Sequence, residues 1–142
     1  MMAITMKSEY AIRLMMLLGM SGQRMSAHEL VETCKERLPL GFAQKILAEL
    51  AKDGILKVFK GCNGGYELAR PLESITVYDI VSTVDNPSDM IKCFIDMGNA
   101  DTSAEACTVN TIWETITKKM EETLKSITLK DLIEDYKARC NV

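Results

Sequence analysis

Two kinds of side chain in this sequence could do chemistry with a partner. The first kind is the thiol. Five cysteines occur, Cys34, Cys62, Cys93, Cys107 and Cys140. Their number is odd and no two form a C-x-x-C pair, which argues for a reducing compartment and against a disulfide framework. Thiolates suit iron–sulfur clusters and zinc. Cys93 and Cys107 stand at the two ends of a stretch without sustained periodicity, but two thiolates do not complete a four-ligand site. A third donor must come from elsewhere in the chain or across a dimer; otherwise these are two unliganded thiols. A disulfide between them is disfavoured by the compartment. Cys34 falls on the apolar side of a helix and reads as core, Cys62 as a small turn residue, and Cys140 as a free thiol near the terminus. The second kind is the amide or ammonium group that can read a base or a phosphate. Gln44 can pair bidentately with adenine, and Lys45 can reach guanine or phosphate. Taken alone, each is an ordinary solvated helix side chain. Catalysis has little support. His28 is the only histidine, it sits inside a helix-capping motif, and no nucleophile lies beside it. With no phosphate loop and no metal-protease spacing, we expect no enzyme.

The elements that must hold these residues follow from periodicity. Ala11, Leu14, Met15 and Leu18 recur at helical spacing, predicting a helix over 7–20 that Ser21-Gly22 ends. Ser26-Ala27-His28-Glu29 is a capping box opening a second helix to about residue 35, with Leu30, Val31 and Cys34 on its apolar face. Pro39 suits the first turn of a third helix, where an amide has no intrahelical partner anyway. Gly41 and Phe42 open that helix, which runs through Ile46, Leu47 and Leu50 until Gly54 stops it. Two successive helices with a short break are the outline of a helix-turn-helix. Residues 55–60 are mostly apolar and β-prone. Gly61-Cys62-Asn63-Gly64-Gly65 reads as a turn, and Tyr66-Glu67-Leu68 as a return strand. A hairpin directly after the third helix is a wing, with Lys60 near its tip and glycines, Gly64 among them, that let its backbone approach phosphates closely.

The second half differs. Thr76-Val77-Tyr78-Asp79 caps a short helix to about residue 85, and Asn86-Pro87-Ser88 breaks it. Residues 88–106 read as a loop long enough to be functional. From about Cys107 a long helix carries an apolar stripe through Val109, Ile112, Trp113, Ile116, Met120, Leu124 and Ile127. The wing domain is too far away to cover that stripe wholly, so a partner subunit is its natural cover. Thr128-Leu129-Lys130-Asp131 caps a last helix.

Charge separates along the chain. The net charge is −3, but residues 1–70 hold ten Lys/Arg against seven Asp/Glu, and residues 71–142 hold seven against thirteen. A basic front and acidic back is what results when one half faces phosphate. No apolar run approaches the roughly 20 residues of a membrane span. The apolar stretch 12–20 is broken at its front by Lys7, Glu9 and Arg13 and has no small-residue cleavage site after it. It reads as a helix, not a signal peptide, and we expect a cytoplasmic protein.

At this point the sequence resembles the IscR-type winged-helix transcription regulators, which include the iron–sulfur assembly repressor, the nitric-oxide-sensing repressor and the cysteine-metabolism repressor. Lys7-Ser8-Glu9-Tyr10-Ala11-Ile12-Arg13 is similar to the family's opening helix, and Phe42-Ala43-Gln44-Lys45-Ile46-Leu47 to its recognition helix. Gly61-Cys62-Asn63-Gly64-Gly65-Tyr66-Glu67-Leu68-Ala69-Arg70-Pro71 is similar to its wing, the most specific part of the match. Segments 75–80 and 126–132 resemble those flanking its sensor loop. The resemblance implies DNA binding as a homodimer joined by the long helix after that loop. It also implies, for many members, an iron–sulfur cluster held by three loop cysteines. Cys93 matches the first of these and Cys107 the last. The middle cysteine is absent, and Asn110 stands where some members have a histidine ligand. A minority of members use two loop cysteines and an acidic residue of the first helix, where Glu9 falls. Such a pattern is completed by a first-helix histidine, and this chain has Arg13 there.

The expectation is therefore an α+β, mainly α protein. A winged helix-turn-helix would occupy residues 1–85, a sensor loop 86–106, and the dimerisation helix and C-terminal helix 107–142. The DNA-binding residues would be Gly41, Phe42, Gln44, Lys45, Lys60 and Gly64. The dimer interface would comprise Ile112, Trp113, Ile116, Met120 and Leu124. Cys93, Cys107 and Glu9 would be the metal ligands if a cluster is bound. The function expected is a homodimeric repressor on a roughly palindromic operator in double-stranded DNA. The alternatives are the same fold regulated by thiol oxidation or a small ligand without a cluster, and a winged-helix protein-interaction module that binds no DNA.

Overall fold

The computed structural model describes residues 5–34, 37–85 and 104–140. Helix α1 (Met6–Ser21) begins at Thr5, whose hydroxyl accepts from the Lys7 amide, and ends at Gly22, a left-handed cap whose N–H reaches the Leu18 carbonyl. Its apolar stripe of Ala11, Leu14, Met15 and Leu18 is fully buried. Burying each of the three larger side chains stabilises by about 1.5–3 kcal/mol, against about 1 kcal/mol for a good cap. Packing thus holds the helix, and the caps set where it starts and stops.

Helix α2 (Ala27–Thr33) carries the Ser26/Glu29 capping box. It ends two residues before the expected position, with Cys34 at the C-cap and only half-buried. Helix α3 (Leu40–Lys52) buries Ala43, Ile46, Leu47 and Leu50. Pro39 stands one position ahead of the first turn, because its ψ of 136° is extended and helical geometry starts at Leu40. Strands β1 (Leu56–Phe59) and β2 (Gly65–Leu68) pair antiparallel, with Leu56 opposite Leu68 and Phe59 opposite Gly65. A single bridge between Met25 and Tyr66 lays the segment before α2 along β2.

A 3-10 turn (Leu72–Ser74) leads to α4 (Val77–Val84), capped by Thr76 and Asp79 as expected. Helix α5 (Ala104–Ser126) starts three residues before the expected position, and α6 (Leu129–Arg139) carries the Thr128/Asp131 capping box. The α5–α6 joint is tied to the core, since Val77 donates to the Ile127 carbonyl and Leu129 to the Ile75 carbonyl, both at 2.8 Å. Leu129 and Ile133 of α6 are buried in the same core as α1. Helix α1 is the hub of that core, in contact with α3, α4, α6 and the hairpin. At Gly19 a Cβ would lie 2.8 Å from Ile133 Cδ1, so α1 and α6 approach too closely there for a side chain. The architecture is the expected one, mainly helical with a two-stranded wing.

Candidate nucleic-acid interface

Burial divides α3 into two faces. Ala43, Ile46, Leu47 and Leu50 face the core, while Gly41, Gln44, Lys45 and Ala48 are exposed. Among the described residues, no hydrogen bond or ion pair engages the side chain of Gln44 or Lys45. Phe42 turns the other way: it is half-buried, and its ring meets Tyr10 of α1 edge-on at 5.9 Å. Its contribution to the outer surface is therefore its backbone amide. The first-turn amides of an α-helix have no intrahelical acceptor, and Pro39 supplies no side-chain cap. Among the described residues, the amides ahead of Ala43 at the start of α3 thus have no acceptor, and they lie beside Gln44 and Lys45. The one carboxylate on α3, Glu49, is matched by Lys7 of α1, whose Nζ lies 2.8 Å from Oε1 and 2.7 Å from Oε2. That ion pair joins α1 to α3 and removes a charge that would repel phosphate.

The wing follows α3 directly in the chain. Lys60 is exposed at the end of β1, followed by the turn 61–64. The glycines there answer internal demands. A Cβ on Gly64 would lie 2.4 Å from the Phe59 carbonyl oxygen, and one on Gly65 2.6 Å from that of Met25. Gly65 also has a φ of 148°. Close approach to a phosphate is not needed to explain either residue.

Sequence reasoning missed Arg24, which entered only as one more basic residue. It touches three parts of the hairpin, contacts that join positions up to 43 residues apart and leave no local pattern. It also missed Asp85, at the end of α4. This carboxylate accepts from the Thr5 amide at 2.9 Å and from the Ser8 hydroxyl at 2.6 Å, and Thr5 Oγ1 lies within 2.8 Å of both its oxygens. Burial pushes the Asp85 carboxyl up, but the Ser8 and Thr5 hydrogen bonds outweigh it and hold it below the usual aspartate value.

The thiols and their proposed partner are not brought together among the described residues. Cys107 is exposed in the first turn of α5, and Cys93 lies outside the described residues. Glu9 is exposed and engaged by Arg13, whose Nε donates to it at 2.8 Å. No group of three possible metal ligands occurs among the described residues. Among the described residues, one thiol and one carboxylate already held by an arginine fall short of a cluster's donor set. Cys62 is exposed in the wing turn. His28 is exposed and lies 3.1 Å from Glu32. On α5, Val109, Ile112 and Ile116 are exposed, while Trp113, Met120 and Leu124 are half-buried.

Comparison with known proteins decides what this arrangement is. The sequence profile of the Rrf2 family, described as an iron-dependent transcriptional regulator, matches residues 4–135. This chain belongs to the Rrf2 family. An IscR of Vibrio campbellii, an HTH-type transcriptional regulator, is 25% identical over 135 residues, covering 94% of this chain and 79% of the relative. The solved structure of T. potens IscR has a TM-score of 0.72 at 27% identity, covering 94% of this chain and 87% of that one. CymR of B. subtilis, a global cysteine regulator, has a TM-score of 0.70 at 22% identity, covering 92% and 95%; at that identity it supports the fold alone. The Rrf2 family is one of transcriptional regulators, not enzymes, and its winged helix is a DNA-binding unit. No helix among the described residues of this Rrf2-family chain is long and apolar enough to cross a membrane.

Proposed function

We propose that this protein is a homodimeric repressor that binds a roughly palindromic operator. The carrying observation is the outward face of α3, where Gln44 and Lys45 stand unengaged among the described residues beside a helix start with free amides. Two such helices, related by a dimer axis, would enter successive major grooves about 34–36 Å apart. Helix N-terminal amides favour phosphate, which gives Gly41 and Phe42 their role through the backbone. Gln44 reads a base, Lys45 a base or phosphate, and Lys60 with the Gly64 turn meets the flanking backbone. Residues 1–85 carry the DNA-binding work, 86–106 the sensing, and 107–142 the pairing of subunits, with α6 docked on α1 as the anchor. Ile112, Trp113, Ile116, Met120 and Leu124 form the seam. Occupying an operator blocks its use by polymerase, hence repression.

The test is selection of duplexes from a random-sequence library by the full-length protein, followed by shift assays at several salt concentrations. A palindromic consensus bound far more tightly than an unselected duplex supports the reading. Equal binding of both, or none, leaves the protein-interaction module.

For sensing, the iron–sulfur reading rests on Cys93 and Cys107 with Glu9 as third donor, and it requires Glu9 to leave Arg13. Anaerobic reconstitution checks it, with iron and sulfide assays on wild type, Cys93→Ala and Cys107→Ala. Visible absorption in wild type alone supports it. A colourless wild type leaves thiol oxidation or a small ligand as the signal.

A further inference from the structure

A two-stranded hairpin is marginally stable on its own, so a wing that must meet DNA in a fixed place needs an outside support. The base of this hairpin packs on α1 and α3 through buried Leu56, and a further support comes from the short segment between α1 and α2. Met25 exchanges two backbone hydrogen bonds with Tyr66, at 3.1 and 2.7 Å, and fixes the backbone beside Arg24. The Arg24 side chain then reaches all three parts of the hairpin. Its guanidinium carbon sits 3.5 Å from the Phe59 ring centroid at the end of β1. Its Nη1 donates to the Asn63 carbonyl in the turn at 3.2 Å. Its Nε lies 3.6 Å from Glu67 Oε1 on β2. Only a planar fork with several donors can stack on a ring and hold a carbonyl and a carboxylate at once. Within the turn itself, the backbone bond from Gly64 to the Gly61 carbonyl is the other restraint.

We propose that Arg24 is the positioning residue of the wing: it fixes the turn 61–64, and through it Lys60, against the helix-turn-helix so that the wing meets the DNA backbone in register. With Glu67 opposite and its face on Phe59, Arg24 acts through the hairpin and not as a phosphate contact. The proposal rests on the reading of the wing as a DNA-contacting element.

The test is a double-mutant cycle on a duplex selected from a random-sequence library by the full-length protein. Lys60→Ala should weaken binding about tenfold in the wild-type background, the order of one charge-assisted hydrogen bond, and less than about twofold in Arg24→Ala. Gln44→Ala should cost the same in both backgrounds, which a general loss of folding would not produce. Arg24→Lys keeps the charge and should not restore wild-type affinity. Hydrogen exchange at the Gly64 amide should speed up in Arg24→Ala without DNA present. If Arg24→Ala does not fold, Arg24→Lys, which keeps an aliphatic stem over Phe59, carries the same cycle. Additive costs for Arg24 and Lys60, or full rescue by lysine, would overturn the proposal while leaving the wing reading intact. A Lys60→Ala variant that binds like wild type overturns the wing reading and the proposal with it.

Discussion

At the residue scale, the side chains facing outward and those clasping the fold respond to different measurements. Gln44 and Lys60 are exposed, so replacing either with alanine should leave stability within about 0.5 kcal/mol and act on binding alone. A base contact is worth about 1–3 kcal/mol of discrimination. Gln44→Ala should therefore narrow the gap between selected and unselected duplexes. Lys60→Ala should weaken both about equally and flatten the salt dependence by roughly one phosphate's share. Unchanged discrimination in Gln44→Ala, measured by competition, would mean that α3 does not read bases through this residue. Asp85 does the opposite. It accepts hydrogen bonds at the start of α1, and Asp85→Asn should lower the thermal midpoint by roughly 3–5 °C, for about 1 kcal/mol of lost capping. The sign with pH follows from its lowered value in the folded state. The stabilisation is full above the ordinary aspartate range and is lost as pH falls through that range to the folded value. The wild type should lose stability on acidification below the aspartate range more steeply than Asp85→Asn. Parallel curves from thermal melts between pH 3 and 6 would count against the clasp. Unlike the roles of Gln44 and Lys60, the part played by Asp85 was not legible in the sequence. Asp85 and Thr5 are eighty positions apart, and a carboxylate at a helix end looks the same whether it meets solvent or another helix.

At the element scale, the devices that start and stop helices act within four residues, and those were readable. Ser26/Glu29, Thr76/Asp79 and Thr128/Asp131 each form the reciprocal capping box that their spacing predicts. The buried stripes of α1 and α3 are those their periods predict. The wing was readable as a hairpin, but not its attachment. Gly65 was expected to serve the turn. Its real constraint is the Met25 carbonyl, 2.6 Å from where a Cβ would stand, together with a φ of 148°. Gly65→Ala should therefore cost about 1–3 kcal/mol for the strained backbone and part β2 from Met25. The same change at exposed Gly41, where a Cβ meets nothing within 4 Å, should be tolerated by the fold. Chemical denaturation of both variants checks the contrast. Equal midpoints would mean that the Met25–Tyr66 bridge does not hold the wing.

At the scale of the whole molecule, α6 and the α5–α6 joint belong to the chain's own core, while the middle of α5 does not. Leu129 and Ile133 are buried against α1, and Lys125 sits 4.6 Å from the Tyr78 ring centroid of α4. The far end of α5 is thus fixed to the winged helix, and Ile112 and Ile116 stay about half exposed, at 51% and 43%. A helix anchored at one end with Val109, Ile112 and Ile116 exposed on it is suited to an isologous contact, in which one patch meets its own copy. Ile116→Asp separates the two levels of structure. It removes little from the chain's own core, so the single chain should stay folded with a near-native circular dichroism spectrum. In a dimer it would bury an unpaired carboxylate at the seam, costing about 3–5 kcal/mol, and the dimer dissociation constant should rise by roughly two to four orders of magnitude. Affinity for a palindromic duplex should collapse with it, while binding to a single half-site changes little, because each half-site meets one intact α3 and one intact wing. Sedimentation velocity and shift assays on whole and half sites together decide the matter. A wild-type chain that sediments as a monomer at micromolar concentration, or an Ile116→Asp variant that remains dimeric, would move the subunit contact away from α5.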